Sequence, residues 1–370
     1  MLPEDIYLIK RNLTFGSQYR CLPLKWDSKQ EQLVVHGTNS QKLAISSLFV
    51  NLFVLLGRLF SVAKSSSIVA QSEAAIVAGI YLTGFILRFD HPVDHVAIQL
   101  VNFLVDPDID KFDRTRTPKL QLGIRFFYWA AEVTCFFISA ILGILSFLSP
   151  CQPILLSSLL CSKSNMGQGH KHVLQLVFGT IEVISFKQLA VGGIYYLLTV
   201  LLHGISFLWL SCQSLVKGYK SSFSIAETIN KYKELKVYEK VLNSCTKSRI
   251  FLTTALLVPA MQILICFASI QLFRSEQVSN VLASVFQWIY FVILLFTILM
   301  FSAAAQINNL STNWIAECRR RCGNKLERRT HKSLMSLRLE FGNNFVEALT
   351  PLVVQEFCAR QTVSFLLLCR

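Results

Sequence analysis

The last apolar stretch of this 370-residue chain carries Gln355, Glu356, Arg360, Gln361, Thr362 and Ser364 within ten positions. Six polar groups on one helix cannot all face lipid; they must face protein or line a watery path. Glu356 and Arg360 stand at i, i+4, where opposite charges neutralise each other. Three other polar groups interrupt apolar stretches: Arg58, Glu73 and His203. Ionisable groups at membrane depth cost free energy and are functional suspects by default. Arg58 is expected to snorkel toward the nearer interface or to pair with Glu73, and His203 reads as a packing residue. The sequence has no phosphate-binding glycine loop, no nucleophile elbow and no metal-ligand pair at helical spacing. His170 and His172 lack a nearby carboxylate or cysteine to complete a metal site, and Cys318 and Cys322 are too sparse for zinc. No catalytic residue, metal or cofactor is expected, and the chain does not read as an enzyme.

Hydrophobic residues make up 53% of the chain and charged residues only 16%. Soluble domains carry about a quarter charged residues, so a soluble, fibrous or disordered protein is excluded. The apolar residues fall in blocks, and a bilayer core of about 30 Å needs roughly twenty of them in a helix. Seven blocks qualify: 43–63, 68–87, 126–148, 189–211, 250–273, 282–303 and 345–368. A shorter stretch, 173–184, contains Glu182 and reads as an interfacial helix or an extension of the fourth span. The fold class is therefore all-α, a polytopic membrane protein with seven transmembrane helices. Residues 1–42 form a polar N-terminal segment and 43–368 the seven-helix domain.

The net charge of +14 comes from 36 Lys and Arg against 22 Asp and Glu. Sorted by loop, 28 basic residues lie on one side of the predicted bilayer and six on the other. Basic residues mark the cytosolic side, so the excess records topology and implies no nucleic-acid partner. The N-terminus is expected in the cytosol and the C-terminus outside. Two sequons, Asn12-Leu-Thr14 and Asn309-Leu-Ser311, then fall on the cytosolic side, where no glycan is added. The long third outer loop, 149–188, carries Cys151 and Cys161 in an oxidising compartment, which allows a disulfide between them; two independent free thiols are the alternative. On the inner side, 224–245 repeats apolar residues at spacings of three and four, the mark of an amphipathic helix. Its acidic Glu227, Glu234 and Glu239 favour packing on other intracellular helices over anionic lipid.

Seven spans, a cytosolic N-terminus, a long basic loop between spans four and five and a polar last span resemble the arthropod gustatory and odorant receptor superfamily. The local marker is Thr362-Val-Ser-Phe-Leu-Leu-Leu-Cys-Arg370, which matches a gustatory-receptor ending in Thr362 and its apolar run. Val363 stands for the family's Tyr, and Cys369 and Arg370 for its Gln-Phe. The resemblance implies a chemosensory receptor of the plasma membrane that is a ligand-gated, non-selective cation channel. It implies a homo- or heterotetramer with related receptors, held by cytosolic anchor helices within 212–249 and 304–344. The seventh helix of each subunit would line the pore, with Leu366 at the constriction and Thr362 and Ser364 beside it. A small organic tastant or odorant would bind in the outer half of the bundle, among Tyr195 and Tyr196 on span four and Phe286, Trp288 and Tyr290 on span six. Membrane lipid is the other expected partner. The runner-up is a seven-helix receptor coupled to a G protein, which would be oriented oppositely. A transporter fits less well, because the span count is odd and Pro259 is the only proline well inside a span.

Overall fold

The computed structural model describes residues 3–64, 67–90, 93–105, 118–160, 168–221, 225–274, 280–321 and 324–368. The chain opens with helix α1 (Pro3–Gln18) and a hairpin of β1 (Leu24–Asp27) and β2 (Gln32–Val35), paired antiparallel with Leu24 opposite Val35. Helices α2 (Thr38–Lys64) and α3 (Ile68–Arg88) follow, then the short α4 (His95–Val105) and the long α5 (Pro118–Leu148). Helix α6 (Gln168–Gly193) runs through a π-helical segment (Ile194–Leu202) into α7 (His203–Ser221). The chain continues as α8 (Ile225–Cys245), α9 (Phe251–Arg274), α10 (Asn280–Arg321), α11 (Lys325–Lys332), the short pair β3 (Glu340–Phe341) and β4 (Asn344–Phe345), and α12 (Thr350–Leu368).

Six helical stretches among the described residues are long and apolar enough to cross a membrane. Helix α12 is long enough to be a seventh, though its polar residues keep it below that hydropathy. Exposed Phe49, Phe53, Leu56 and Phe60 on α2, and Leu122, Trp129, Phe137 and Phe147 on α5, form the greasy faces expected of spans whose solvent is lipid. Several stretches are far longer than a bilayer. The fourth covers His172–Gly218, 47 residues, or roughly 70 Å at 1.5 Å per residue. It must project beyond the bilayer at one end, the end that also carries most of the basic residues.

At this basic end the projecting helices make a core of their own. The apolar stripe of α8 buries Ile229, Tyr232, Leu235, Tyr238 and Leu242. The Tyr232 ring stacks on Trp314 of α10 with centroids 4.6 Å apart. An extended segment before β3 lies along α8, and side chains of α8 complete its backbone hydrogen bonds. Tyr232 Oη donates to Met335 O (2.8 Å), Asn243 Nδ2 to Arg338 O (2.9 Å), and Glu239 accepts from Arg338 N (2.7 Å). Buried backbone groups rarely go unpaired, and this pairing explains why a segment without regular structure is held in place. The hairpin is closed similarly: Asn102 of α4 accepts from Leu33 N (2.6 Å) and donates to Leu33 O (3.0 Å), covering the edge of β2.

The structure revises one span and one ion pair. Helix α6 begins about twenty residues before the expected start of span four, so 173–184 belongs to that span. Glu182 does not end it because Glu182 is neutralised. Arg58 Nη2 lies 2.8 Å from Glu182 Oε1, with both side chains fully buried. Ser146 Oγ donates to Glu182 Oε2 (2.9 Å), and Leu156 N donates to Oε1. Arg58 therefore neither snorkels nor pairs with Glu73; its guanidinium also sits over the Tyr81 ring, 5.8 Å from the centroid. Of the sequons, Asn12 is buried with Nδ2 on Val191 O (3.3 Å), and Ser311 is buried with its hydroxyl accepting from Leu337 N (3.0 Å). Neither sequence could serve as a glycan acceptor in this fold.

Candidate functional site

An apolar cavity of about 260 Å³ lies between α3, α5, α6 with its π segment, α9 and α10. Its walls include Ile80 and Gly84 of α3, Phe127 and Ile138 of α5, Ile194 and Leu197 of the π segment, Met261 of α9, and Ile289 and Phe296 of α10. Thr83, Thr134 and Cys135 supply its few polar side chains. Such a chamber suits a small, mostly apolar organic molecule held by one or two hydrogen bonds. Gly84 brings α3 against α6: a Cβ there would lie 2.3 Å from Leu189 Cγ. The π segment is the other local device. One extra residue per turn re-aims side chains and is frequent at functional sites, and here it turns Ile194, Leu197 and Leu198 onto the cavity.

None of the five aromatics singled out as ligand residues lines this cavity. Tyr195 and Tyr196 lie midway along the continuous helix His172–Gly218 and do not line the cavity. Tyr196 Oη donates to Asp90 Oδ2 (2.8 Å), just past α3, and its ring carries Arg249 at 4.8 Å. Tyr195 is buried against Tyr196, ring edge to face. Phe286 is buried behind the cavity wall with Ile76, Ile265 and Ala283, in a cluster that shares Met261 with that wall, and Tyr290 packs on the same cluster. Trp288 comes nearest, because its Nε1 donates to Thr134 Oγ1 at 3.1 Å and so fixes a lining residue. The residues that do line α10 are Ile289, Val292, Ile293 and Phe296, one helical face at spacings of three and four. That periodicity is visible in the sequence; the preference for aromatic residues hid it.

Helix α12 packs on α9 and α10 and leaves one side uncovered. Among its described residues only Cys358 and Thr362 are buried. Leu352, Val353, Phe357, Val363 and Leu367 are exposed, as are Glu356 and Arg360, which pair at 2.5 Å. The Thr362 hydroxyl donates to Cys358 O (2.9 Å) on the covered side, whereas Ser364, donating to Arg360 O (3.0 Å), lies on the uncovered side. Leu366 is half-buried. Gln355 ties α12 to its neighbours: it accepts from Gln262 of α9 (2.7 Å) and donates to Thr297 of α10 (3.0 Å). Gln262 and Thr297 directly follow the cavity residues Met261 and Phe296.

Other polar residues resolve into structural roles. His203 is buried, with Nδ1 donating to Leu198 O (2.8 Å) and its ring edge-on to Tyr128 (5.7 Å). His172 is exposed, and the side chain of His170 lies outside the described residues. No cluster of metal-ligating side chains occurs among the described residues. Cys151 is disulfide-bonded; Cys161 lies outside the described residues. Cys318 is buried.

No family model matches the sequence, and no curated protein matches it. Solved structures do. The olfactory receptor OR5 of the insect Machilis hrabei, in complex with eugenol, superposes with a TM-score of 0.62 at 11% identity over 98% of both chains. A second structure of that receptor gives a TM-score of 0.60 with the same identity and coverage. In both, the match runs from end to end and includes the projecting helices of the basic end. This chain has the fold of an insect olfactory receptor.

Proposed function

We propose that the chain is a chemosensory receptor of the insect odorant and gustatory superfamily, working as a ligand-gated, non-selective cation channel. The observation that carries this reading is the apolar cavity within that fold, one helix layer from a polar, half-uncovered last helix. The structural relative binds eugenol, and a cavity of about 260 Å³ with two threonines suits an aromatic or terpenoid molecule of similar size. Uncovered faces of α12 from several subunits, a homo- or heterotetramer, would enclose the conduction path. A hydrophobic ring near Leu366 would gate it by dewetting.

Currents test the proposal. The chain, expressed alone or with related receptors, is expected to give cation currents when small volatile aromatics are applied. Ala131→Phe, which puts a ring into the cavity, is expected to raise the half-maximal ligand concentration about tenfold, a loss of ~1.4 kcal/mol of binding, at unchanged surface expression. Absence of any evoked current in every combination would remove the channel reading. Orientation has its own test. A tag at each terminus, stained on unpermeabilised cells, is expected to be accessible only at the C-terminus, as the basic loops require. An exposed N-terminal tag would instead favour a G-protein-coupled receptor.

A further inference from the structure

A second cavity, about 280 Å³, opens at the basic end, away from the apolar chamber. Its walls come from the N-terminal segment (Cys21, Pro23, Val35), one face of α2 (Gln41, Ala44, Ile45, Leu48), the end of α3 (Arg88, Asp90) and the start of α4 (Val93, His95). Arg88 stands out chemically. The residue is 4% exposed, its stem packs directly on Gly192, and a Cβ on that glycine would lie 2.5 Å from Arg88 Cγ. Its Nη2 donates to Cys21 O (3.1 Å) and Ser47 Oγ (2.6 Å), while Nε and Nη1 are buried without a partner. No carboxylate among the described residues forms an ion pair with it. A guanidinium cannot shed its proton, and a buried charge is normally matched by an opposite one.

The one carboxylate in the wall does little to oppose an anion. Asp90 is already held by Arg249 Nη2 (3.2 Å), Tyr196 Oη (2.8 Å) and Asp94 N (3.2 Å). Burial pushes its carboxyl above the usual range against the pull of Arg249. His95 is exposed at the rim, where its imidazole N–H would add a second donor. The remaining wall, from Ala44, Ile45, Leu48 and Val35, is apolar.

The geometry points to a second binding site, for a phosphate-type oxyanion received by the Arg88 guanidinium, at the end of the bundle that faces the cytosol under the charge distribution. Two sources carry that chemistry: the headgroup of an anionic phospholipid, whose glycerol would lie on the apolar wall, and a soluble phosphate. Full-length protein, delipidated in detergent, separates them. Thermal melting with inorganic phosphate, compared with chloride at matched ionic strength, reads the soluble anion. Native mass spectrometry with phosphatidic acid, compared with diacylglycerol, reads the headgroup. Saturable stabilisation by phosphate, or selective retention of phosphatidic acid, is expected in the unmodified chain. Arg88→Met is expected to weaken it at least about tenfold, the loss of charge-assisted hydrogen bonds. Since Arg88 also braces Cys21 and Ser47, Ala44→Phe serves as the second variant: it fills the cavity and leaves those bonds in place, and is expected to abolish binding while the protein stays folded. Binding of neither ligand, or binding undiminished by Ala44→Phe, overturns the site.

Discussion

Glu182→Ala is expected to lower the stability of the folded protein by about 3–5 kcal/mol, the cost of leaving a buried charge without its partner. The change would strip three donors at once: Arg58 Nη2, Ser146 Oγ and Leu156 N. Arg58, fully buried between α2 and α6, would keep its charge because a guanidinium is always protonated. The reverse change, Arg58→Met, is expected to cost less, roughly 1–3 kcal/mol. A carboxyl can take up a proton, and Glu182 would still accept from Ser146 and Leu156. The double variant Arg58→Met, Glu182→Leu is expected to recover much of the loss, because apolar replacement of a whole buried pair is often neutral or better. Melting temperatures of the purified variants, with surface expression beside them, check the ordering. A Glu182→Ala protein that melts with the unmodified chain, or a double variant as weak as Glu182→Ala, would show that the pair does not hold α2 to α6.

The same pair explains where the sequence could be read and where it could not. Long apolar blocks announce themselves because the bilayer sets their length, so the spans 43–63 and 126–148 lie within α2 and α5, and 250–273 matches α9 to within one residue at each end. The early start of span four is legible only as one of two readings of 173–184, because Glu182 breaks the apolar window. Its neutralising arginine stands 124 residues earlier, and no local pattern carries that information. Helix α4 escaped notice because eleven residues are too few to cross a bilayer, and the β1–β2 hairpin because its connection 28–31 lacks glycine, the usual turn signal. The apolar cavity draws single faces from five helices. Each face is periodic, but only their assembly leaves space. The polar character of the last helix was legible, whereas the direction of each side chain was not, so Thr362 turned out to face the bundle and Ser364 the open side.

Gln355→Leu is expected to uncouple the last helix from the cavity, reducing the ratio of ligand-evoked to basal current by between about fivefold and 100-fold, the range of typical coupling free energies. The argument begins with placement. Gln262 is a buried amide in the apolar interior of α9, 2% exposed, and leaving such a group unpaired there would be costly. It is answered by Gln355 at 2.7 Å, and Gln355 in turn donates to Thr297 at 3.0 Å. This polar triangle joins α12 to the two helices whose adjacent residues, Met261 and Phe296, form part of the cavity wall. A ligand that shifts α9 against α10 must therefore either carry Gln355 with it or break one of its bonds. Leucine preserves the bulk of the side chain and the helix, but removes both links. Gln262 and Thr297 keep each other at 3.4 Å, so the fold should survive with a modest loss of about 1–2 kcal/mol. Patch-clamp recordings over a ligand series, with binding measured separately on purified protein, distinguish coupling from affinity. Unchanged binding with a collapsed evoked-to-basal ratio is the expected result. A ratio that stays at its original value while α12 has lost both bonds would mean that the signal reaches the last helix by another route, the packing of Cys358 and Phe365 on α9 being the next contact to test.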